Sequence, residues 1–320
     1  MPVPLFTQTH IAFIWDFDRT LIPGNQQEPL FAHYGVDDQE FWQEVDGLVD
    51  YYARRGTLVA RDTAYLLHIL TYVQAGIFDG LTNAKLFELG KEIVPAPGIP
   101  DFLEATRRRI AEDDRYGSEG ITVEHYVVST GIRPMIEGSV IAAHIDGIWA
   151  NTFIEKPAPP GFNAAGSQTR LDVDGKGHPI TAIGYMIDNT AKTRAIFEIN
   201  KGVNRQAIDV NARVSEDQRR VPIRNMIYIA DGPSDVPSFA IVNERGGKTF
   251  GVYTTEPRNN FRGVRELQEQ GRIQGMAEAD FREGKAAYLW LMDSLEQIAE
   301  GILADRGRTV AGIPRPPGHV

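Results

Sequence analysis

The sequence predicts an α/β protein: a doubly wound parallel sheet with a helical cap domain inserted after its first strand. Three observations support this. Short apolar runs recur along the chain, and each ends at polar residues, glycine or proline. Segments with a helical pattern separate these runs. One stretch near the N-terminus has apolar residues at helical spacing and no strand pattern. Ligands of such sheets bind beyond the carboxyl ends of the strands, so the ends of the apolar runs are where a site is expected.

The predicted strands are apolar runs that end abruptly at acidic residues, threonine, glycine or proline, as is typical of buried parallel strands. They cover residues 10–18, 124–129, 225–231 and 248–253. Helices are predicted between and after them, over residues 99–112, 190–200, 234–243 and 285–303.

The length of 320 residues exceeds what one hydrophobic core usually organises, which favours a core with an insertion. We expect an α/β core formed by residues 1–25 and 98–305 and a helical cap formed by residues 26–97, where aromatic and leucine residues recur at helical spacing. Within the core, residues 145–187 show short strand patterns and a glycine-containing turn at 172–177, which predict a hairpin or flap. Residues 306–320 are rich in glycine and proline and predict a loose C-terminal tail.

Composition excludes several classes of function. The formal charge of −10 disfavours non-specific binding to nucleic acid or to anionic membranes. The chain has no cysteine, so it has no disulfide, no thiolate zinc site and no cysteine nucleophile. No apolar run approaches the ~20 residues of a spanning helix, and no secretory signal pattern is present. We therefore expect a cytoplasmic protein with neither a nucleic acid nor a membrane as partner.

The first chemical signal lies where the first apolar run ends. Asp16 and Asp18 stand two residues apart directly beyond it, and Thr20 follows. Once the chain leaves regular strand geometry, both carboxylates can approach one cation, and the amides of the loop can face the same space. Two acids alone are weak evidence for a catalytic site, so the residues at the ends of the other predicted strands must also be considered.

Three further elements occur in a consistent order at those strand ends. Ser129, Thr130 and Gly131 end the second run and offer a hydroxyl and backbone amides to phosphate oxygens. Lys192 lies near the start of a predicted helix, where its ammonium can neutralise a phosphoryl group together with a carboxylate. Asp231-Gly-Pro-Ser-Asp235 ends the third run with the hard oxygen ligands that Mg2+ prefers. Thr130 is the alternative to Ser129 as the phosphate ligand. Lys201, at the far end of the same helix, is the alternative to Lys192.

These four segments resemble the four motifs of the haloacid dehalogenase (HAD) superfamily. The chain is most similar to the phosphoserine-phosphatase-like branch, because a helical insertion separates the first two motifs and because residues 127–130 and 149–153 resemble that branch. The resemblance spans Asp16 to Asp235. The sequence departs from the branch in two places. The segment between Ser129 and Lys192 is long. In the cap, the acid and the arginine with which members of the branch recognise the substrate have no unambiguous match in this sequence.

The resemblance implies a Rossmann-like core and a phosphatase that passes through an aspartyl-phosphate. Asp16 would be the nucleophile and Asp18 the general acid and base, while Ser129 and Lys192 would hold the phosphoryl group. The implied Mg2+ ligands are Asp16, the backbone carbonyl of Asp18 and Asp231, with Asp235 close by. Candidate substrate-binding residues are Thr20, Thr130 and Gly131 in the core loops and, in the cap, Arg54 and Arg61, with Glu28 and Arg55 as further candidates.

The predicted function is thus the Mg2+-dependent hydrolysis of a small phosphorylated metabolite. Two alternatives use the same residues. In a phosphotransferase or mutase, a second substrate replaces water, and in a receiver-like signalling module the phospho-aspartate itself is the signal. The cap-sized insertion and a second acid at Asp18 favour turnover over signalling. A dehalogenase has no use for Asp18.

Overall fold

A computed structural model describes residues 8–163, 177–206, 209–254 and 258–311. Its centre is a seven-stranded sheet in the order β4-β3-β2-β1-β5-β6-β7, in which every neighbouring pair is parallel except β3 and β4. The predicted α/β class with a mostly parallel sheet is therefore confirmed. The strands are β1 (His10–Trp15), β2 (Thr122–Ile132), β3 (Gly147–Ile154), β4 (Ala182–Tyr185), β5 (Met226–Ala230), β6 (Lys248–Tyr253) and β7 (Gly275–Glu278).

Helices cover both faces of this sheet and fill the segment between β1 and β2. Those before β2 are α1 (Glu28–Tyr34), α2 (Asp38–Ala53), α3 (Ala64–Gln74), α4 (Asn83–Gly90), α5 (Asp101–Ala111) and α6 (Asp114–Gly117). Those after β2 are α7 (Arg133–Gly138), α8 (Ala191–Lys201), α9 (Val236–Glu244), α10 (Arg258–Glu269) and α11 (Ala286–Ala311). No helix among the described residues is both long and apolar enough to cross a membrane.

The central strand β1 separates two hydrophobic layers. Phe13 and Trp15 point to one face, where residues of α5 and α11 pack on them. Ala12 and Ile14 point to the other face, against α8, α9 and α10. Side chains of a strand alternate between the faces of its sheet, so a strand buried on both sides must be apolar throughout. This explains why β1 reads as a continuous apolar run.

Helices α1 to α4 form an aromatic-rich group in the segment predicted to be a cap. Phe31, Phe41 and Phe78 are buried there, with the ring centroids of Phe31 and Phe41 4.7 Å apart. This group belongs to the same hydrophobic cluster as Phe13 and Trp15 of the sheet. The helices are thus packed onto the core, and the division into a cap of residues 26–97 and a separate core stays a prediction.

Several elements differ from expectation. The region 145–187 contains β3 and β4, which pair antiparallel, but β3 also extends the main sheet by parallel pairing with β2. The predicted turn at 172–177 lies almost wholly outside the described residues. Helix α11 continues to Ala311, so the tail predicted to be loose from residue 306 begins within a helix, and residues 312–320 are outside the described part. Helix α10 and strand β7 were not predicted.

Candidate active site

The carboxyl ends of three neighbouring strands bring the acidic motifs together. Trp15, the last residue of β1, is in register with Val127 of β2 and Ile229 of β5. Asp16 follows directly, and its backbone amide donates a hydrogen bond to the carbonyl of Ile229 at 2.9 Å. Asp231 follows β5 in the same way. Residues far apart in sequence therefore meet at one sheet edge because parallel strands share a direction.

Lys192 is the buried cation of this site. Its Nζ donates hydrogen bonds to Oδ1 of Asp16 at 3.0 Å and to Oδ1 of Asp235 at 2.8 Å. Its side chain is only 1% exposed. Burial alone would lower the pKa of the ammonium, but the carboxylates of Asp16 and Asp235 outweigh burial and raise that pKa, so Lys192 is charged at neutral pH. Lys201, the alternative lysine, instead donates to the carbonyls of Val210 and Ala212.

Three carboxylates form an acidic cluster that could hold a metal ion. Oxygen atoms of Asp16, Asp231 and Asp235 all lie within 4.8 Å of one another. Burial and the neighbouring carboxylates raise the pKa of Asp231 to about 6, and burial raises that of Asp16 well above its usual range. Crowded, partly buried carboxylates repel each other, and a divalent cation relieves that repulsion. The donors are hard oxygens, so this cluster fits Mg2+.

Asp235 is held by three donors. Besides Lys192, the hydroxyl of Tyr228 donates to its Oδ1 at 2.6 Å, and the hydroxyl of Ser234 donates to its Oδ2 at 2.7 Å. Its side chain is fully buried. Asp235 thus both completes the acidic cluster and fixes the position of the lysine. On the other side of the cluster, Asn260 of α10 donates through Nδ2 to Oδ2 of Asp231 at 3.2 Å.

Asp18 is oriented by a single neighbouring residue. Its Oδ1 accepts from the backbone N–H of Gln26 at 2.7 Å, and its Oδ2 accepts from the side-chain Nε2 of Gln26 at 3.2 Å. Burial raises the pKa of Asp18, and these two hydrogen bonds oppose the rise without cancelling it. A carboxyl group with a raised pKa holds its proton more readily than an ordinary one, as a general acid requires.

The second motif is buried beside these acids. Ser129 is 1% exposed, and its Oγ accepts from the backbone N–H of Gly131 at 3.0 Å. The carbonyl of Thr130 accepts from the hydroxyl of Tyr65, which comes from α3, at 2.6 Å. Asn151 of β3 donates to that same carbonyl. Residue Tyr65, in the segment predicted to be a cap, therefore touches the end of β2, which was predicted to bind phosphate.

The remaining predicted residues divide into two groups. Thr20 is buried beside the first motif, and its hydroxyl has no hydrogen-bond partner among the described residues. Arg54 and Arg61 are exposed, and no described contact joins either to the acidic cluster. Arg19 lies nearer to the acids than Arg54 or Arg61, because its charge opposes part of the rise that burial causes in the pKa values of Asp18 and Asp231. It has a left-handed backbone conformation with φ of 55°.

Several residues of this site are not among those predicted from the sequence. Tyr228 lies within the apolar strand β5, three residues before Asp231, and a tyrosine inside a strand that leads to an acidic end was the available signal. The others are ordinary polar residues whose role depends on contacts far along the chain, which no local pattern encodes. They are Gln26, Tyr65, Asn151 and Asn260.

Known structures similar to this chain include several HAD-family proteins. A HAD family hydrolase from Salmonella enterica subsp. enterica serovar Typhi is 14% identical, with 86% of this chain and 68% of that chain covered and a TM-score of 0.49. A probable phosphoserine phosphatase from Vibrio cholerae is 12% identical, with 92% and 68% covered and a TM-score of 0.49. A phosphoserine phosphatase in its apo form is 15% identical, with 86% and 96% covered and a TM-score of 0.48.

Sequence comparison gives a nearer relative. No protein-family model matches the chain. An uncharacterized protein of Borreliella burgdorferi is 37% identical over 290 residues, which cover 89% of this chain and 96% of that protein. Identity at this level over nearly the whole length of both proteins shows common descent, and the chain belongs to the same protein family as this Borreliella burgdorferi protein.

Proposed function

We propose that this protein is a Mg2+-dependent phosphohydrolase of the HAD type that hydrolyses a small phosphate monoester through an aspartyl-phosphate on Asp16. The observation that carries the proposal is the buried contact of Lys192 with Asp16 and Asp235, beside Asp231 at the carboxyl edge of the sheet. Three acids around one lysine leave excess negative charge, which suits a site that binds a divalent cation together with a phosphoryl group. The four-motif resemblance and the similar HAD structures agree with this assignment.

Charge decides what such a site must supply. A phosphate ester is anionic and repels the carboxylate of Asp16, so attack needs positive charge near the phosphoryl oxygens. Lys192 provides one fixed positive charge beside the Asp16 carboxylate. Asp16, Asp231 and the backbone carbonyl of Asp18 would hold Mg2+, with Asp235 close by. Bound there, the metal would neutralise charge on the phosphoryl oxygens as a Lewis acid.

The chain's own residues then divide the reaction into two displacements. In the first, an oxygen of Asp16 attacks phosphorus, the bond to the leaving alcohol breaks, and Asp18 gives that alcohol its proton. In the second, Asp18 takes a proton from water, the water oxygen attacks phosphorus, and the bond to Asp16 breaks to release inorganic phosphate. A carboxylate suits this relay because the acyl phosphate it forms is readily hydrolysed.

Helix α3, in the segment predicted to be a cap, would help to exclude water from these steps. Tyr65 of α3 is buried and reaches the carbonyl of Thr130 beside the site. Exclusion of bulk water strengthens the electrostatic contacts of Lys192 and protects the phospho-intermediate from side reactions. The resemblance to the phosphoserine-phosphatase-like branch is what points to a small phosphate monoester as substrate. Serine phosphate is one member of that class and is not singled out by any residue of the site.

A panel of phosphorylated metabolites, assayed for phosphate release with Mg2+ and with a chelator, tests the proposal. We expect at least one small monoester to be hydrolysed with Mg2+ and none with chelator. Adding an excess of simple alcohols to the same reactions separates hydrolysis from transfer, because a phosphotransferase would form new esters instead of free phosphate. Phosphate release that is equally fast with the chelator would overturn the metal requirement, and failure on every ester would overturn the function.

A further inference from the structure

Gln26 makes three hydrogen bonds that link Asp18 to the end of β2. Its backbone N–H donates to Oδ1 of Asp18 at 2.7 Å, and its Nε2 donates to Oδ2 at 3.2 Å. Its Oε1 accepts from the backbone N–H of Ile132 at 2.9 Å. The side chain is completely buried. One residue therefore binds both oxygens of the Asp18 carboxylate and is itself anchored to a different part of the sheet.

The direction of the Gln26 amide is fixed by its partners. The backbone N–H of Ile132 can only donate, so it must face Oε1, and Nε2 must then face Asp18. The absence of a side chain at Gly131 leaves space for the Gln26 amide. A Cβ atom on Gly131 would lie 1.6 Å from Nε2 of Gln26, so only glycine at position 131 allows the amide to lie where it does. Gly131, expected to offer an amide to phosphate, thus also shapes the space that Gln26 occupies.

We propose that Gln26 is a positioning residue that fixes the orientation of the Asp18 carboxyl group toward the leaving group; this inference rests on the proposed phosphohydrolase function. A carboxylate has about four lone-pair positions, two on each oxygen. The two donors of Gln26 occupy one on each oxygen and prevent rotation of the group. A proton carried by Asp18 is thereby confined to the side facing away from Gln26.

The position of Gln26 in the chain adds to its effect. It lies in the segment that leads from the Asp16–Asp18 loop into α1, which begins two residues later at Glu28. The same amide bonds the end of β2, where Ser129 and Thr130 lie. The orientation of Asp18 is therefore tied both to the segment that leads into α1 and to the end of β2, and it is set correctly only when both are in place.

The test compares leaving groups that need a proton with leaving groups that do not. Gln26→Met keeps the size of the side chain and removes its hydrogen bonds to Asp18 and Ile132. Alkyl alkoxides are poor leaving groups and require protonation, whereas p-nitrophenolate leaves without it. We expect kcat/KM, which covers the steps up to departure of the leaving group, to fall about 10- to 100-fold on the best alkyl phosphate of the metabolite panel and less than about 3-fold on p-nitrophenyl phosphate. The value of kcat should fall on both esters, because Asp18 also activates water in the second displacement.

Matched variants complete the experiment. Gln27→Met makes the same change at the next residue, which is also buried but makes no side-chain capping bond, and should leave both activities unchanged. Gln26→Leu, a second apolar replacement that removes the same hydrogen bonds, should reproduce the selective loss, and it serves also if Gln26→Met does not fold. Asp18→Asn should show the same selectivity in kcat/KM with a larger loss. Stabilisation by Mg2+, read from melting temperature, should persist in Gln26→Met.

The outcomes separate this inference from the function on which it rests. Folded Gln26→Met and Gln26→Leu proteins in which kcat/KM falls equally on both esters, or on neither, would show a structural role only and overturn the inference while the wild type remains a phosphatase. A wild type that hydrolyses neither ester with Mg2+ would overturn the function and the inference together.

Discussion

The ammonium of Lys192 lies 3.0 Å from Oδ1 of Asp16, in a contact from which solvent is almost completely excluded. A buried charge is tolerated only when it is paired, so each of these residues depends on the other for its ionised state. The same ammonium lies 2.8 Å from Oδ1 of Asp235, so Lys192, Asp16 and Asp235 form a unit of three charged residues. Stability and catalysis should therefore respond together when this unit is changed.

Removal of the lysine should destabilise the protein. Lys192→Met leaves Asp16 and Asp235 buried beside each other without their cation, and we expect a loss of about 3–5 kcal/mol in the free energy of unfolding. Mg2+ should restore part of that loss by taking over the charge. Urea denaturation with and without Mg2+ measures both effects. Lys91→Met is the matched control, since Lys91 forms an exposed pair with Glu88 and its loss should change stability by less than about 1 kcal/mol. Equal stability of the two variants would contradict the role of Lys192.

Removal of the nucleophile should abolish turnover without unfolding the protein. Asp16→Asn is nearly isosteric and leaves Lys192 paired with Asp235. We expect phosphate release to fall by more than about 1,000-fold while the circular dichroism spectrum is retained. Asp38→Asn, the same change at an exposed position of α2, should keep full activity. Full activity of Asp16→Asn would refute the mechanism.

Metal binding should depend on Asp231 and on pH. The pKa of Asp231 is raised to about 6 when no cation neutralises the cluster, so protons should compete with Mg2+ as the pH falls through about 6. We expect Mg2+ to raise the melting temperature at pH 7.5 and to do so much less at pH 5.5. Asp231→Asn should lose most of the shift, and Asn260→Leu, which removes the amide that holds Asp231, should weaken affinity about 10-fold. A shift that is unchanged in Asp231→Asn would place the metal elsewhere.

Patterns in the sequence predicted the parts of the fold that depend on burial alone. The strands β1, β2, β5 and β6 were located because strands buried on both faces must be apolar and must end where polar residues begin. β7 was missed because four residues with a glutamate carry little pattern. β3 was taken for part of a flap because its pairing with β2 is a long-range relationship that its own residues do not encode.

Some residues of the candidate site could likewise be predicted from the sequence, and others could not. Asp16, Lys192, Asp231 and Asp235 meet because parallel strands and the helices between them end at one edge, so motif order was sufficient to predict their proximity. Arg54 and Arg61 were chosen for charge alone, and charge does not tell which way a cap helix faces. Gln26 could not be found, because its role comes from contacts with Asp18 and with a strand more than 100 residues away.

His125 should make the stability of the protein sensitive to pH. Its Nδ1 accepts from the indole N–H of Trp15 at 3.1 Å, so its proton is on Nε2, which lies 2.9 Å from the hydroxyl of Thr106. Burial, reinforced by the charge of Arg107, lowers the pKa of His125 well below its usual value near 6.5. Below that value the unfolded chain binds a proton that the folded chain does not. Its stabilising contribution is thus complete above pH 6.5 and is lost as the pH falls.

Denaturation curves between pH 7.5 and 5 measure this effect. The slope attributable to one such histidine reaches about 1.4 kcal/mol per pH unit. His125→Gln should be less stable at pH 7.5 but should flatten the slope, whereas His33→Gln, at an exposed position of α1, should leave the slope as it is. An unchanged slope in His125→Gln would show that other groups cause the pH dependence.

The phospho-intermediate tests the account most directly. The enzyme is mixed with Mg2+ and its best substrate from the metabolite panel, quenched in acid within milliseconds, and digested for mass spectrometry. We predict one phosphoryl group on the peptide that contains Asp16, more of it in Asp18→Asn, in which hydrolysis of the intermediate is slowed, and none in Asp16→Asn. A phosphoryl group on another residue, or rapid turnover with no covalent adduct in either the wild type or Asp18→Asn, would contradict the account.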